Sequence, residues 1–460
     1  MILNQKDFTA FLDNHVKNNT SRRLFINYYQ PVSQEIWERL VDKFIGASTN
    51  YFYCCKPVGG FSFFASDELI SISRQNFKEI NYIRESFDRL KSQIVSNAGD
   101  FNLTHNPLFF GITKFPSEIK GEFWIDFSDS KWFAPKLMLH QEENKHYLVV
   151  NFIYYAGVDE YLHTVVEKLL QEDALPSSKS AVSYKISDLG VNDWDEKINY
   201  ALKNISDGTI EKIVLARYID LDLSGQPRIK SIIKKLEEQF PDCYTFVYKS
   251  GQSFFFGSSP EKLFSIQNRL LQTDALAGSI KRGDTEDADL ILQEQLLNDK
   301  KNLSEHNAVI NFLKDQLTPL ADEVSIENKP VIKKLSNIQH LYTPIAAKLK
   351  KGVSVFSLLE KIHPTPAVCG IPPHTSQNLI NEIENFERGL YAGALGWVGL
   401  NDTAEMFVGI RSAVLKENRL RAFAGGGIVK GSNSADEYNE TVLKLKPILS
   451  LFENENINKS

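Results

Sequence analysis

Three glutamates are the residues of this chain whose types and spacing could bind a metal ion. Glu437 and Glu440 lie three residues apart in AFAGGGIVKGSNSADEYNETVLKLK, residues 422–446, and Glu305 lies in the helical pattern NDKKNLSEHNAVINFLKDQL. If the three carboxylates meet in space, they form an oxygen-rich site that suits Mg2+. A simpler explanation is a solvated helix face, since Glu440 and Lys444 have the favourable i,i+4 order for a surface ion pair.

The glycine run before the last two glutamates could bind an anion. Glycines allow backbone N–H groups to approach a phosphate or a carboxylate closely. A P-loop is excluded because it requires Gly-Lys followed by Ser or Thr, whereas this chain reads Val429-Lys430-Gly431-Ser432. A zinc site is not indicated, because His306 does not belong to an HExxH motif.

A lysine and a further glutamate stand at the ends of predicted strands. Lys212 enters the apolar strand of GTIEKIVLARYIDL, and Glu261 follows a strand and a Ser-Ser-Pro turn in FFFGSSPEKLFSI. Each has an ordinary structural explanation. A lysine at a strand start is usually exposed, and a glutamate in the first turn of a helix interacts favourably with the helix dipole. Taken alone, neither residue indicates catalysis.

The elements that must position these residues are predicted from short apolar runs and from helical spacing. Strands are indicated by RLFINYYQ, YFYCC, FSFFAS, FFGIT, YLVVNFIYYAG, TFVYKSG and FFFGSS. Helices are indicated by ISRQNFKEINYIRESFDRLKSQI, VNDWDEKINYALKNIS, IKSIIKKLEEQF and ADLILQEQLLNDKKNLSEHNAVINFLKDQLTPL. Hairpin-length gaps between strands favour an antiparallel α+β fold over a doubly wound parallel sheet.

Composition restricts the class of protein. The 460 residues are 42% hydrophobic and 24% charged, which is typical of a globular chain. A net charge of −6, without a long basic run, argues against a nucleic-acid partner. No stretch has the length of a signal-peptide core or a membrane span, and the four cysteines form no CxxC pair. We therefore expect a soluble, cytoplasmic protein with reduced thiols and no membrane contact.

A Ser- and Asp-rich stretch, SSKSAVSYKISDLGVNDWDEK, is the candidate boundary between two parts of the chain. We expect residues 1–190 to form a variable N-terminal part and residues 191–455 to form the catalytic core. Both parts are expected to belong to one compact domain overall.

The ordered motifs of the second part resemble those of the chorismate-utilising enzymes. They are EKIVLAR, GSSPEKL, ALAGSIKRG, KKNLSEH, IQHLYTPI, HPTPAVCGIP, RGLYAGALGW, GIRSA, AGGGIVKGS and DEYNETVLKLK. The family includes isochorismate synthases, salicylate synthases, and the large components of anthranilate and aminodeoxychorismate synthases. The resemblance implies a large α+β domain of stacked antiparallel sheets flanked by helices, like anthranilate synthase component I, and isochorismate synthases are its most similar members.

The resemblance also implies roles for single residues. Glu305 and Glu440 fall where the family binds magnesium, which would hold the ring carboxylate of chorismate. Glu437, one turn before Glu440, would either bind the metal directly or hold a metal-bound water. The residues expected to bind the substrate are Gly278, Ser279, His340, Ala367, Tyr391, Arg411, Gly425, Gly426, Gly427 and Lys444. One departure is Asn302, where some salicylate synthases have a glutamate next to the metal.

The nucleophile distinguishes the family members from one another. Water-using members carry a lysine at the position of Lys212, whereas anthranilate synthases, which use ammonia, have a non-basic residue there. Aminodeoxychorismate synthases often use a lysine nucleophile where this chain has Ala277. The N-terminal part also lacks an LLES-like motif, which belongs to the tryptophan feedback site of anthranilate synthases. These comparisons favour water as the nucleophile.

The expected reaction is an isomerase reaction that adds water at ring C2 of chorismate and removes the C4 hydroxyl, giving isochorismate. Lys212 would be the general base, which requires a neutral amine. Glu261 would be the general acid, and its pKa must be raised, which the apolar neighbours Leu263 and Phe264 favour.

Two other functions stay open at this point. A salicylate synthase would perform the same first step and then eliminate pyruvate, and a non-catalytic member would keep only the fold. The isochorismate could feed menaquinone or a siderophore, and the length of the chain favours menaquinone. We expect a monomer without a glutaminase subunit.

Overall fold

Runs of aromatic and β-branched residues form the strands, as the sequence predicts. The computed structural model describes residues 3–16, 24–74, 80–154, 182–191, 193–335 and 338–454. The strands are Leu24–Val32 (β1), Asn50–Lys56 (β2), Phe61–Arg74 (β3), Ile94–Ser96 (β4), Pro107–Thr113 (β5), Ser130–Glu142 (β6), Lys145–Tyr154 (β7), Ser183–Asp188 (β8), Lys212–Leu223 (β9), Tyr244–Ser250 (β10), Ser253–Ser259 (β11), Lys262–Gln267 (β12), Leu270–Lys281 (β13), Ala321–Ile326 (β14), Val331–Lys334 (β15), Ile338–Leu349 (β16), Gly370–Ile371 (β17), Ala394–Gly399 (β18), Ala404–Val408 (β19), Ser412–Lys416 (β20), Arg419–Ile428 (β21) and Glu453–Asn454 (β22).

The helices flank the strands. They are Gln5–Val16 (α1), Gln34–Ala47 (α2), Ile80–Lys91 (α3), Trp194–Ser206 (α4), Ile229–Gln239 (α5), Glu286–Asn298 (α6), Lys300–Leu317 (α7), Val355–Ile362 (α8), Pro373–Ile383 (α9) and Ser434–Leu449 (α10). The predicted helix over residues 72–94 starts too early, because β3 continues to Arg74, and residues 75–79 lie outside the described residues.

The strands pair almost entirely antiparallel, so the predicted α+β class is confirmed. Among the described residues, parallel pairing joins β1 to β4 and β8 to β22. On one side of β6 lies β3, and on the other side residues 130–133 pair with β5 and residues 137–142 pair with β7. The sheet therefore divides at β6.

Two arms of the sheet lead from β6 towards the predicted site. The first arm runs β3, β2, β10, β11, β20, β21 and β9. The second arm runs β5, β18, β19, β12, β13 and β16. Leu215 and Phe255 of the first arm share one buried apolar cluster with Phe264 and Leu395 of the second. The arms therefore face each other across this core.

The long helical pattern predicted over residues 288–320 forms two helices, α6 and α7. They are separated at Asp299, whose side chain accepts a hydrogen bond from the backbone N–H of Asn302. An aspartate stabilises a helix N-terminus in this way because the first N–H groups have no partner within the helix. This cap begins α7 one turn before Glu305, and α7 packs against β13 and β16.

Strands of the N-terminal part pair directly with strands of the C-terminal part. β2 pairs with β10, and β5 pairs with β18. The boundary near residue 190 stays a prediction, and residues 177–181 and 192 of that stretch lie outside the described residues. No helix in the described part of the chain is long and apolar enough to span a membrane.

Candidate active site

A cavity at the ends of the two arms brings most of the predicted site residues together. Its lining includes Glu261, Gly278, Ser279, Glu305, His340, Ala367, Tyr391, Arg411, Gly425, Gly427, Glu440 and Lys444. Lys212, Gly426 and Glu437 lie outside this lining. The cavity measures about 70 Å³, whereas ligand sites usually measure roughly 300–1,000 Å³. Side chains of the wall must therefore move when a molecule as large as chorismate enters.

Lys212 is a buried lysine, not the exposed strand-start residue of the simpler explanation. Its side chain is 1% exposed, and its Nζ lies 2.9 Å from Oε1 of Glu305. The start of β9 is fixed because Gly370 and Ile371 pair with it and the hydroxyl of Ser376 donates to the Lys212 carbonyl at 3.1 Å. The amine is thereby held next to the cavity.

Glu305 is a partly buried carboxylate whose charge is balanced by lysines. Burial alone would raise the pKa of Glu305, but the nearby Lys212, Lys444 and Lys301 hold that pKa below its usual value. Opposite charges within a few ångströms favour the ionised carboxylate. Glu305 is therefore ionised at neutral pH and available as a ligand for a cation.

Glu261 lies between β11 and β12 with its side chain in the cavity wall. Its backbone N–H donates to the Ser259 hydroxyl at 3.3 Å, and its carbonyl accepts from the Val408 N–H at 3.1 Å. Burial raises the pKa of Glu261 to about 7, although Lys212, Lys444 and other lysines oppose the shift. A carboxyl group that is half protonated near neutral pH can donate a proton there.

Each glutamate of the predicted magnesium site is paired with a lysine. Glu305 pairs with Lys212, Oε1 of Glu437 lies 2.7 Å from Nζ of Lys301, and Oε1 of Glu440 lies 2.5 Å from Nζ of Lys444. All three carboxylates raise the pKa of Lys301 against the opposing effect of burial. The three glutamates therefore surround a common region.

The donor chemistry of this region fits Mg2+, which prefers carboxylate oxygens. Among the described residues, no group of three His, Cys, Asp or Glu side chains is already arranged around one point. The carboxylates would therefore have to move closer together to bind the metal, and the magnesium site stays a prediction. Lys301 is a residue that sequence reasoning missed, although it lies one helical turn before Glu305.

The glycine run on β21 makes room for the glutamates. A Cβ on Gly427 would lie 2.3 Å from Oε1 of Glu305 and 3.2 Å from Cε of Lys212, and a Cβ on Gly426 would lie 3.0 Å from Oε2 of Glu437. A Cβ essentially never approaches other atoms to 2.3 Å. A larger residue at 427 would therefore push the Glu305 carboxylate away from its present position.

Replacing Gly427 with alanine is expected to displace Glu305 and Lys212. We expect turnover of chorismate to fall by about 10²-fold, because a shift of about 1 Å at a reacting group has that effect. Steady-state assays and circular dichroism would test this expectation. Gly225→Ala is the matched control, since a Cβ on Gly225 would meet no atom within 4 Å. Full activity of the Gly427 variant would contradict the required close approach.

A neutral histidine and an arginine form the opposite wall. The Ser279 hydroxyl lies 2.9 Å from Nδ1 of His340, and a guanidinium nitrogen of Arg411 lies 3.5 Å from Nε2. Burial, together with Arg411 and Lys444, holds the pKa of His340 well below its usual value. His340 is therefore an uncharged hydrogen-bonding group at neutral pH.

Asn302, the departure from the salicylate synthase pattern, has a structural partner. Its side-chain oxygen accepts a hydrogen bond from the Ser279 N–H at 3.1 Å. Gly278, the residue before Ser279, adopts φ +78, in the left-handed region that glycine tolerates best. Asn302 thus holds the bend in β13 that turns Ser279 towards His340.

A buried ion pair that sequence reasoning missed positions two walls of the cavity. Arg388 and Glu384 bond each other, and both are almost fully buried. The Arg388 guanidinium donates to the carbonyls of Val214 and Val368 at 2.7 and 2.9 Å, and Glu384 accepts from the Ala216 N–H at 2.7 Å. The pair therefore ties β9 to the loop that contains Ala367. Its i,i+4 spacing was the signal available in the sequence.

Comparison with known proteins identifies relatives over nearly the whole chain. The family described as "Chorismate binding enzyme" matches residues 12–453. Isochorismate synthase MenF of Bacillus subtilis (strain 168) is 34% identical over 392 residues, which cover 84% of this chain and 83% of that protein. The salicylate biosynthesis isochorismate synthase of Pseudomonas aeruginosa is 37% identical over 252 residues, 55% of this chain and 53% of that protein.

A solved structure has the same fold. The structure of MenF, the menaquinone-specific isochorismate synthase from Escherichia coli, matches with a TM-score of 0.77 and 22% sequence identity. The match covers 97% of this chain and 100% of that one. The fold expected from the motifs is therefore confirmed.

Proposed function

This chain belongs to the family of chorismate-binding enzymes, and from that membership we propose that it is an isochorismate synthase, an isomerase that converts chorismate to isochorismate. Water adds at ring C2 and the hydroxyl at C4 leaves. The observation that carries this proposal is the buried Glu261, whose pKa is about 7, in the same cavity wall as Glu305, the partner of Lys212. One side chain accepts a proton and another donates one, as the reaction requires.

Lys212 removes a proton from the attacking water. Its ion pair with Glu305 and the anchored start of β9 fix the position of the amine. A base that is fixed next to the bound water increases the rate, because the reacting groups need no further ordering. Lys212 then carries the proton as an ammonium group beside the Glu305 carboxylate.

Glu261 donates a proton to the departing hydroxyl. The C4 oxygen leaves as water and not as hydroxide, which is a much poorer leaving group. Burial keeps the carboxyl protonated up to about neutral pH. Each turnover leaves Lys212 as an ammonium group paired with Glu305, as in the resting structure, and leaves Glu261 ionised. Transfer of that proton from Lys212 to Glu261 restores the neutral amine and the carboxylic acid for the next turnover.

Charged groups hold the two carboxylates of the substrate. Arg411 and Lys444 line the cavity, and charge-assisted hydrogen bonds to carboxylates are about twice as strong as neutral ones. Tyr391 supplies a hydroxyl from the same wall, where its ring stacks on Phe423. Glu305, Glu437 and Glu440 would hold Mg2+, which when bound would orient the ring carboxylate and neutralise its charge.

Incubation of the purified protein with chorismate and magnesium, with the products separated by chromatography, tests the proposed function. We expect isochorismate as the product, and we expect EDTA to abolish its formation. Salicylate together with pyruvate would instead identify a salicylate synthase. No turnover, with water or with added ammonia, would contradict the assignment.

The pathway proposal is menaquinone biosynthesis. The Bacillus subtilis relative, which aligns over most of both chains, is named MenF, and the solved E. coli protein of that name is the menaquinone-specific enzyme. We also propose that the protein acts in the cytoplasm as a monomer without a glutaminase subunit, since its nucleophile is water and not ammonia.

A further inference from the structure

A lysine from a short strand outside the sequence motifs reaches the proton donor. Lys333 lies in β15, where it pairs with His340 of β16 across the ladder. Its ammonium group donates a hydrogen bond to the carbonyl of Pro260 at 3.0 Å. This carbonyl belongs to the peptide bond that joins Pro260 to Glu261. The contact therefore fixes the backbone from which the Glu261 side chain starts.

The neighbours of Lys333 leave its ammonium group bonded to the Pro260 carbonyl. Its Nζ lies 5.4 Å from the ring centroid of Tyr342. The Tyr342 hydroxyl donates to Oδ1 of Asp274 at 3.1 Å, and Nζ of Lys262 lies 3.6 Å from the same oxygen. Asp274 is therefore engaged by Tyr342 and Lys262, and Lys333 remains bonded to the Pro260 carbonyl.

Several charged groups face Glu261 from the surrounding elements. They are Lys212 of β9, Lys444 of α10, Lys333 of β15 and Asp274 of β13. Lys212 and Lys444 also have carboxylate partners in Glu305 and Glu440. Lys333 differs, since its ammonium group donates a hydrogen bond to the Pro260 carbonyl, next to Glu261.

We propose that Lys333 is a positioning residue for Glu261, because its ammonium group fixes the Pro260–Glu261 peptide from which the carboxyl side chain projects. This inference rests on the proposed role of Glu261 as the general acid. Without Lys333, burial would act on Glu261 with less opposition, so the carboxyl would hold its proton more tightly. Glu261 would then be a weaker acid as well as a less ordered one.

Lys333→Met is the variant that tests this proposal. We expect kcat to fall by roughly tenfold through loss of positioning. The alkaline limb of the pH profile of kcat/KM should move to higher pH, since Glu261 would stay protonated further into the alkaline range. Lys333→Arg keeps the positive charge and should keep the limb at its wild-type position.

Lys334→Met is the matched control on the neighbouring residue. Lys334 points its charge elsewhere, since its Nζ lies 2.9 Å from Oδ2 of Asp289. We expect its alkaline limb to match the wild type. An unshifted limb in Lys333→Met, with normal thermal unfolding, would overturn the proposal.

A second measurement separates this proposal from the proposed function. The infrared carbonyl band of protonated Glu261, identified by its loss in Glu261→Gln, reports the titration without turnover. It should persist to higher pH in Lys333→Met than in the wild type, and an unchanged titration would refute the role of Lys333. Absence of isochorismate formation by the wild type would refute the function itself, whatever the infrared titration shows.

Discussion

Replacing Glu261 with glutamine is expected to lower kcat for isochorismate formation by about 10²–10⁴-fold, the usual contribution of a general acid. Glutamine keeps the size of the side chain and its place between β11 and β12, but it cannot release a proton to the C4 oxygen. Because Arg411 and Lys444 would still hold the substrate, we expect KM to change little. Steady-state kinetics on the purified variant would measure both values.

The pH dependence of the wild type follows from the same carboxyl. Glu261 must be protonated to act, and its pKa is about 7. We therefore expect kcat/KM to fall as the pH rises above about 7, and the Glu261→Gln variant should lose this limb together with its activity. A wild-type profile that stays flat well above neutral pH would contradict the role of Glu261 as the acid.

The Glu261→Gln variant should lose activity but gain thermal stability near neutral pH. The pKa of Glu261 is raised in the fold from 4.5 to about 7, so its favourable contribution is complete below 4.5 and is lost as the pH rises through 7. The loss is about 3 kcal/mol, since one pKa unit corresponds to about 1.4 kcal/mol. Glutamine does not ionise and avoids this loss. The melting temperature of the variant should therefore rise relative to that of the wild type as the pH increases from about 5 to about 8.

A glutamate on the surface provides the control for both measurements. Glu323 is exposed on β14, away from the cavity. Glu323→Gln should therefore keep the wild-type kcat and the wild-type dependence of melting temperature on pH. If the Glu261 and Glu323 variants had the same melting profile, burial of Glu261 would not be the source of the effect.

The sequence motifs predicted which residues lie together, because they resemble motifs of a family whose members already have a known active site. Lys212, Glu305 and Gly427 lie far apart in the chain, yet a Cβ on Gly427 would touch both of the other side chains. No hydrophobic period or propensity encodes that contact. The strands were predicted by a different signal, since apolar runs such as FSFFAS, residues 61–66, are buried.

Charge balance in the site could not be predicted, because it depends on which side chains fold back onto the carboxylates. Lys301 pairs with Glu437, which lies 136 residues further along the chain. Lys333 reaches Pro260 from β15, a strand of four residues that no sequence pattern singled out. The division of the sheet at β6 is also a matter of tertiary pairing, since one strand pairs with three others.

Replacing Lys212 with glutamine is expected to lower kcat by about 10²–10⁴-fold and to destabilise the metal-free protein. The activity falls because no other base is fixed beside the water. The stability falls because the partly buried Glu305 would lose its partner, and breaking a fully buried ion pair in this way costs about 3–5 kcal/mol, which is the upper limit here. Kinetics and thermal unfolding of the same preparation would measure the two effects.

Magnesium should restore the stability of Lys212→Gln but not its kcat. If Glu305 is a metal ligand, added Mg2+ replaces the missing positive charge and raises the melting temperature of Lys212→Gln more than that of the wild type. The double variant Lys212→Gln, Glu305→Gln should be more stable than Lys212→Gln without metal and should lose the response to Mg2+. This pattern would separate the role of Lys212 as a base from its role as a counter-ion.

Lys114 offers the matched control, since its Nζ lies 3.0 Å from Oε1 of the buried Glu387, an ion pair outside the cavity lining. Lys114→Gln should lose a similar amount of stability, keep most of its kcat, and show no greater response to Mg2+ than the wild type. Near-normal turnover by Lys212→Gln would require another base. An equal response of both variants to Mg2+ would mean that the metal does not bind at Glu305.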